Sequence, residues 1–459
     1  CALPISLLTV IVLVVFASLR ADAKGFVTTR GGAFYADGAE YTFVGANYWY
    51  GALIGLEKDR KRGIERLRRE LDFLKRNGVT NLRLLGGAEG SGPINDVIRV
   101  GPPLQPRQGE FDEKVLDGLD LILHEMGKRR MKAVIFLSNN WEWSGGFQQY
   151  LIWNKVVSES LLTRKPDWDE LRDVVAKFYS CDACKAGYRK QAELIIKRRN
   201  RISGKNYVDD PTIMAWEIAN EPRQMRPFAN DDYKLWLSQT SAMIKSLDRR
   251  HLVTVGHEGW IGTQDLKLFE TVHADTNVDY LTVHIWPKNW GWFAAGKMEA
   301  EYPAIAAESE KYIAENAAVA ERLAKPLVIE EFGLPRDGQS FDPASKTTVR
   351  DTYYGLILAK VGSGVVKGAN FWAFGGMARP KAGQTFWRAG DEYMGDPPME
   401  EQGLNTVFDS DRTTWQVIRK YAMATRSPSP RRTSSSASMA ASALPTHASG
   451  IGSHGGTPR

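Results

Sequence analysis

The chain alternates between strand-like and helix-like stretches eight times. The strand-like stretches are short apolar runs, and the helix-like stretches carry apolar residues three and four positions apart. The strand-like stretches cover residues 42–46, 79–85, 133–137, 212–219, 252–256, 280–285, 326–330 and 367–373. The helix-like stretches cover residues 61–76, 113–130, 168–200, 231–248, 264–272, 300–323, 346–361 and 411–422. Strict alternation predicts a parallel sheet covered by helices, and eight repeats predict a single α/β domain, a (β/α)8 TIM barrel.

The two ends of the chain differ in composition from this alternating region. Residues 1–23 contain an apolar run followed by Ala-Asp-Ala, which is typical of a secretion signal with its cleavage site. Because the chain begins at Cys1, we interpret this leader as partial. Residues 427–459 are rich in Ser, Ala, Pro and Gly and are expected to be disordered, as a linker or as out-of-frame read-through. The folded domain is predicted to cover residues 24–426, with a hairpin at 25–41 closing the N-terminal end of the barrel.

The net charge and the cysteine content limit which cellular locations and binding partners are expected for this protein. The formal charge is +6 over 459 residues, with no basic stripe, so a nucleic-acid partner is not expected. Beyond the leader only Cys181 and Cys184 remain, an even pair that suits an exported protein. Cys-x-x-Cys also occurs in redox and zinc sites, but a local disulfide is the favoured interpretation because no second pair accompanies it. We expect a secreted monomer, extracellular or periplasmic, with no membrane contact after cleavage.

Two of the strand-like stretches end in carboxylates beside a chain-turning residue. The fourth ends in Asn-Glu-Pro at 220–222, and the seventh in Glu-Glu-Phe-Gly at 330–333. Because the C-terminal ends of barrel strands meet at one face, these acids are expected to lie close together. Two carboxylates that flank one glycosidic bond perform sugar hydrolysis. A lone Glu usually caps a helix or pairs with a surface Lys, and the occurrence of both motifs disfavours that alternative.

Aromatic residues are concentrated in the loops that follow the predicted strands. They occur at residues 47–50, 141–146, 286–293 and 371–376. Flat aromatic rings complement the apolar C–H faces of sugars, so these loops predict a carbohydrate-binding cleft. The alternative is that these side chains pack the loops against the barrel.

Side-chain alternation along the strands suggests individual roles. On the fourth strand Glu217 lies one layer below Glu221, so it is expected to pair with a cation inside the barrel. The amide of Asn220 is placed to hold a sugar 2-hydroxyl beside Glu221. On the seventh strand, neighbouring Glu330 and Glu331 should point in opposite directions, so that one of them faces the barrel mouth.

These motifs resemble glycoside hydrolase family 5, in the large retaining clan of barrel enzymes. Asn-Glu-Pro at 220–222 and Glu-Phe-Gly at 331–333 carry the family likeness. The longer phrases at 216–223, 255–259, 284–290 and 329–333 resemble the endo-β-1,4-mannanase branch of the family. The resemblance extends from residue 25 to about residue 425.

The resemblance implies roles for particular residues. Glu221 would be the acid/base and Glu331 the nucleophile, with Arg83 beside the nucleophile to keep it ionised. A surface salt bridge is the alternative for Arg83, and a structural role is the alternative for His284. The positions that would bind substrate or line the cleft are Asn220, His284, Trp372, Trp141, Arg223 and Glu258.

The sixth strand departs from the family pattern. The family commonly has His-x-Tyr there, with the Tyr hydroxyl bonded to the nucleophile, whereas this chain has His284-Ile285-Trp286. The indole N–H of Trp286 is a donor only. Trp286 is therefore expected either to orient Glu331 or to stack on substrate.

Together these features predict a secreted, retaining endo-β-1,4-mannanase that acts on mannan, glucomannan or galactomannan poly- and oligosaccharides. No metal or other cofactor is expected, because the strand ends carry no ligand clusters of suitable spacing. The alternatives are an endo-β-1,4-glucanase on the same barrel, a catalytically inactive polysaccharide-binding barrel, and a cofactor-dependent barrel enzyme.

Overall fold

The structure is a computed structural model that describes residues 24–94 and 96–425. The predicted leader at 1–23 and the predicted disordered tail at 427–459 lie outside the described residues. None of the described helices has both the length and the apolar character needed to cross a bilayer.

The described residues contain fifteen strands and twelve α-helices. The strands are β1 (Val27–Arg30), β2 (Ala33–Ala36), β3 (Ala39–Tyr41), β4 (Phe43–Asn47), β5 (Asn81–Leu85), β6 (Pro93–Ile94), β7 (Val97–Ile98), β8 (Lys132–Phe136), β9 (Ile213–Glu217), β10 (Leu252–Thr254), β11 (Leu281–Ile285), β12 (Leu327–Phe332), β13 (Gly368–Phe371), β14 (Phe374–Gly376) and β15 (Val407–Phe408). The α-helices are α1 (Gly51–Ile54), α2 (Arg60–Arg76), α3 (Glu113–Lys128), α4 (Gly146–Trp153), α5 (Trp168–Ala176), α6 (Asp182–Ile196), α7 (Asn230–Leu247), α8 (Trp260–Thr263), α9 (Leu266–His273), α10 (Met298–Arg322), α11 (Thr348–Gly362) and α12 (Arg412–Ala424). Short 3₁₀ turns lie at Glu142–Ser144, Glu159–Leu162, Tyr207–Asp209, Pro227–Ala229 and Asp337–Gln339.

Eight parallel strands form the barrel. Their order is β10-β9-β8-β5-β4-β13-β12-β11, so neighbours in space are neighbours in the alternating pattern. The two end strands are joined by the Asp279 N–H, which donates to the carbonyl of Val253 at 2.8 Å. The Thr254 hydroxyl also donates to the carbonyl of Tyr280 at 3.0 Å. The predicted (β/α)8 barrel is thereby confirmed.

Strands β1, β2 and β3 form a small antiparallel sheet across the N-terminal end of the barrel. Phe34 of this sheet is fully buried, and its ring makes an edge-on contact with Tyr280 at 5.3 Å. Since Tyr280 immediately precedes β11, this sheet covers the end where the strands begin. The opposite face, where the strands end, is left to the long loops.

The helical prediction for 168–200 is wrong in one respect, because two helices occupy that region. Helix α5 ends at Ala176, and α6 begins at Asp182 after a non-helical Cys181. The Cys181 sulfur accepts the N–H of Cys184 at 3.1 Å and so caps α6. Cys181 and Cys184 also form the predicted local disulfide.

Helix α4 was not predicted from the sequence. All but one of its eight residues are buried, so it lacks the polar face on which a helical period depends. It also begins at a Gly-Gly pair, Gly145 and Gly146, with positive φ at both residues, which resembles a loop signal.

Candidate active site

A cavity of about 950 Å³ opens at the C-terminal ends of the barrel strands. It brings together eight of the ten residues predicted to form the site. These are Trp141, Asn220, Glu221, Arg223, Glu258, Trp286, Glu331 and Trp372. The other two, Arg83 and His284, are fully buried directly beneath the cavity floor and bond to its carboxylates.

Glu221 lies just past the end of β9 in left-handed backbone, with φ of 51°. Its N–H donates to the carbonyl of Gly256 at 2.9 Å, which ties this turn to the neighbouring strand. One carboxylate oxygen accepts the indole N–H of Trp141, and the other lies 2.6 Å from Nδ1 of His284. The side chain is therefore held from two sides, and only 7% of the residue is exposed.

Glu331 occupies the matching position at the end of β12. It accepts a charge-assisted bond from the Arg83 guanidinium and the indole N–H of Trp286 at 3.1 Å. One of its oxygens lies within 4.8 Å of an oxygen of Glu221. The two carboxylates thus face each other across the floor of the cavity.

The prediction that Glu330 and Glu331 point in opposite directions is wrong. The pairing of β11 with β12 steps from Val283–Ile329 to His284–Glu331, which leaves Glu330 as an extra residue on its strand. Such a bulge breaks the alternation of side chains. Glu330 therefore also turns inward, 3.7 Å from Arg83 and 3.8 Å from His284, whereas Glu331 alone of the two lines the cavity.

Arg83 connects the acids beneath the cavity. It forms a two-pronged ion pair with Glu217, as expected for a cation inside the barrel, and also bonds to Glu331. A third contact runs from its guanidinium to Oδ1 of Asn220 at 2.7 Å. This bond fixes the orientation of the Asn220 amide, the residue next to Glu221 in the chain. The Nδ2 group of that amide donates to Oδ1 of Asn139 at 3.0 Å.

Burial determines the protonation of the site. It raises the pKa of Glu221, although Arg223 and the Trp141 N–H partly oppose the change. For Glu331, burial acts in the same direction and the bonded Arg83 guanidinium acts against it by lowering the pKa. Burial lowers the pKa of His284 to about 4, so this ring is neutral at neutral pH. The two facing carboxylates therefore favour sharing one proton, and Arg83 favours its placement on Glu221.

Beyond Glu221 the cavity wall is built from an ion pair and aromatic rings. Arg223 forms a bidentate pair with Glu258, and its guanidinium lies 5.1 Å from the ring centroid of Trp141. On the other side of the acids, the rings of Trp286 and Trp372 meet edge to face at 5.8 Å. The cleft thus has an aromatic surface on both sides of the carboxylate pair.

A buried carboxylate supports the loop that carries Trp141. Glu89 accepts bonds from the Ser138 hydroxyl at 2.7 Å, the Gln191 amide at 2.8 Å and the Gly146 N–H at 3.1 Å. Burial raises the pKa of Glu89 to about 7. Because Ser138 and Gly146 flank the 139–145 loop, Glu89 fixes both ends of that loop.

Several cavity residues were not identified from the sequence. They are Val97, Glu142, Trp143, Lys165, Trp168, Ile261, Asn289, Trp290, Phe386, Met399, Glu400 and Asn405. Most lie in long loops, where no periodic pattern indicates which side chains turn inward. Trp143 and Trp290 were not named individually, but they lie within the aromatic loops at 141–146 and 286–293 that were predicted to form the cleft.

The cavity floor also contains a possible cation-binding group. Among the described residues, one set of three metal-ligating side chains has its ligand atoms within 4.8 Å of one another. The set is Glu221, His284 and Glu331. Both carboxylates, however, already accept N–H donors. Glu221 accepts the indole N–H of Trp141. Glu331 accepts bonds from Arg83 and Trp286. Donors of this kind suit negative charge on the acids, and the Arg83 cation already neutralises part of it.

Comparison with known proteins identifies the family. The model of the GH family 5 beta-mannosidase-like family matches residues 24–429. The chain is 28% identical over 387 residues to mannan endo-1,4-beta-mannosidase 1 of Oryza sativa subsp. japonica, covering 79% of this chain and 82% of that protein.

Solved structures give a consistent result. A glycoside hydrolase family 5 mannosidase from Rhizomucor miehei is 31% identical with a TM-score of 0.78, covering 88% of this chain and 98% of that chain. A variant of it was solved in complex with mannosyl-fructose. The endo-beta-1,4-mannanase from Thermotoga petrophila is 24% identical with a TM-score of 0.61, covering 86% of this chain and 79% of that chain, which shows a shared fold.

Proposed function

We propose a function for this protein from one premise: the chain belongs to glycoside hydrolase family 5, within its beta-mannosidase-like group. It is a glycoside hydrolase. We propose that it is a secreted, retaining endo-β-1,4-mannanase that cleaves internal bonds of mannan, glucomannan or galactomannan. The observation that carries the proposal is the facing pair Glu221 and Glu331, whose nearest oxygens lie within 4.8 Å. Retaining glycosidases place these groups about 5 Å apart, so that the nucleophile reaches the sugar directly.

In the proposed first step, Glu331 attacks the anomeric carbon while Glu221 gives its proton to the departing glycosidic oxygen. Arg83 donates to one oxygen of Glu331 and Trp286 to the other, and both bonds favour the ionised form of this group against the effect of burial. The products of this step are a sugar ester of Glu331 and a shortened chain with a new free hydroxyl.

In the second step, Glu221 takes a proton from water as the water oxygen attacks the anomeric carbon. The bond from that carbon to the Glu331 oxygen breaks, which releases the sugar and returns Glu331 as a carboxylate. Esterification removes the negative charge of Glu331, so the pKa of Glu221 falls relative to the free enzyme. The same carboxyl group can therefore act first as an acid and then as a base. His284, neutral and 2.6 Å away, orients this group without adding a competing charge.

The preference for mannose is proposed from the relatives and from the position of Asn220. Mannose differs from glucose in its axial 2-hydroxyl, and the amide of Asn220 lies beside the acid where that hydroxyl would bind. The curated relatives, including the rice enzyme and a tomato protein 26% identical over 371 residues, are named as mannan endo-1,4-beta-mannosidases.

A second candidate is an exo-acting β-mannosidase that removes terminal mannose. It is favoured by the TM-score of 0.78 to the Rhizomucor miehei mannosidase, against 0.61 to the Thermotoga petrophila endo-mannanase. The chemistry at Glu221 and Glu331 would be the same in both cases, and only the position of the cut along the chain would differ.

The substrate assay should use ivory-nut mannan, carboxymethyl-cellulose and mannohexaose with the full chain. We expect new reducing ends from mannan and little release from the cellulose derivative. Early products of mannohexaose should be a mixture of oligosaccharides. Mannose as the sole early product would identify the exo-acting candidate, and faster hydrolysis of the cellulose derivative would overturn the mannanase proposal.

Export is part of the proposal. Its support is the Cys181–Cys184 disulfide, because such bonds persist in oxidising compartments. Activity in the culture medium of an expressing host, with two fewer free thiols than the reduced protein, is the expected result.

A further inference from the structure

Two of the described aromatic residues that line the cavity are substantially exposed, Phe386 at 42% and Trp168 at 48%. Trp168 is the one whose ring packs beside Trp141, which bonds to Glu221. It is the first residue of α5, in the long excursion between β8 and β9, and its side chain lines the cavity. Large aromatic side chains that remain exposed at a cleft without covering the core are candidates for ligand contact.

Trp168 extends the surface formed by Trp141. The two rings are roughly parallel, with an angle of 29° and centroids 6.3 Å apart. The Arg223 guanidinium lies near both, 5.1 Å from the ring of Trp141 and 5.8 Å from that of Trp168. Because Trp141 bonds to Glu221 and its ring packs beside that of Trp168, this surface begins at the acid/base.

The helix that carries Trp168 is fastened to the loop that follows Glu221. Arg226 donates to Asp173 at 2.6 Å, and Arg172 donates to the carbonyl of Met225 at 2.9 Å. Asp167 caps the helix by accepting the N–H of Glu170 at 2.8 Å. The position of Trp168 is thus set relative to the acid/base, which suits a binding platform better than an unattached surface side chain would.

We propose that Trp168 is a stacking platform for the second sugar unit on the leaving-group side of the cleaved bond. The ligand is a β-linked hexose chain, whose apolar C–H face packs on the indole as it does on other aromatic surfaces. Trp141 then contacts the first leaving-group unit and Trp168 the next. This inference rests on the proposed function, because it assumes that a sugar chain leaves from the side of Glu221.

The test compares Trp168→Ala with Phe228→Ala. Phe228 is 71% exposed and follows the same loop, but it is not among the residues that line the cavity, so it controls for loss of an exposed ring. Each enzyme is assayed on mannohexaose and on 4-nitrophenyl β-mannoside or β-mannobioside, whichever the wild type cleaves faster. The aryl group of those substrates ends at the first leaving-group position.

For Trp168→Ala we expect the ratio of kcat/KM on mannohexaose to that on the aryl substrate to fall about tenfold, mainly through KM. For Phe228→Ala the ratio should equal that of the wild type. Should Trp168→Ala fail to fold, Trp168→Gln keeps a polar side chain of useful length and has the same expected result.

An unchanged ratio in a folded Trp168 variant would overturn this inference while leaving the proposed function intact. Failure of the wild type to cleave either substrate would instead overturn the proposed function, so the two failures are distinguishable.

Discussion

The indole N–H of Trp286 donates to Oε2 of Glu331 at 3.1 Å, in the place where the family pattern commonly supplies a tyrosine hydroxyl. The sequence left two roles open for this residue, orientation of the nucleophile and stacking on substrate. The hydrogen bond favours the first role. The edge-on contact with Trp372 fixes the plane of the ring that makes this bond.

Trp286→Phe should therefore lower kcat rather than raise KM. It removes a hydrogen bond to a charged group, typically about 1.5–3 kcal/mol. If the bond acts mainly in the transition state, the loss in kcat is about ten- to a hundredfold. Steady-state kinetics on mannan oligosaccharides measure it. An intact kcat with a raised KM would show that the ring stacks on sugar instead.

The separation of Glu221 and Glu331 predicts retention of anomeric configuration. Proton NMR of the first turnovers on a β-mannoside should show the β-anomer before mutarotation. An α-anomer as the first product would require a water between the acids and would contradict direct attack by Glu331.

The two acids should respond differently to removal. Glu331→Ala should be inactive on every substrate, because no ester can form. Glu221→Ala should keep residual activity on substrates with good leaving groups, which need no proton, and azide should speed its second step and yield a β-azide. If the roles were reversed, azide would instead rescue the Glu331→Ala enzyme with a β-azide. An α-azide from Glu331→Ala is the product expected when azide replaces the lost nucleophile, so product stereochemistry decides between the two assignments.

The bond from Trp141 to Glu221 should be visible in the pH dependence of activity. This donor lowers the pKa of Glu221, which must carry a proton in the first step. Trp141→Phe should therefore raise that pKa and move the basic limb of kcat/KM upward by about one pH unit. Trp290→Phe removes another cavity indole without a contact to Glu221, so its basic limb should stay at the wild-type position. A downward shift in Trp141→Phe would contradict this assignment.

Glu89 should make stability depend on pH. Burial raises its pKa to about 7 in the folded protein, against about 4.3 in an unfolded chain. The folded state thus binds more protons than the unfolded state between these values, and the contribution of Glu89 to stability is lost as pH rises through 7. We therefore compare the unfolding free energy of Glu89→Gln with that of the wild type at each pH. The variant value minus the wild-type value should increase by roughly 2–4 kcal/mol from pH 4 to pH 8. Urea melts measure it, with the exposed Glu110→Gln as a control that should show no such trend.

The barrel was predictable because its signals are local and repeated. Each predicted strand matched an observed strand within a few residues; the stretch predicted at 280–285, for example, is the strand Leu281–Ile285. The helix at 146–153 was not predictable in this way, because buried helices lack a polar face. The break between α5 and α6 was missed because a single capping side chain, Cys181, sets it.

The candidate site shows the same division. The acids at 221 and 331 could be placed from their strand-end positions. Side-chain alternation predicted that Glu217 pairs with a cation inside the barrel, and in the structure that cation is Arg83. The inward orientation of Glu330 could not be predicted, because it depends on a register shift between two different strands of the barrel. The exposure of Trp168 likewise depends on where a long loop folds back.

The left-handed backbone at Glu221 has a consequence for engineering this enzyme. A residue with a β-carbon in that conformation is disfavoured by roughly 1–2 kcal/mol, and its buried carboxyl also lies close to a second acid. Glycine relieves both effects, offset in part by the greater freedom of the unfolded chain and by loss of the bonds to Trp141 and His284. Selection for heat resistance alone would thus reward loss of the proposed acid/base, so stability and turnover compete at this one residue and must be screened together.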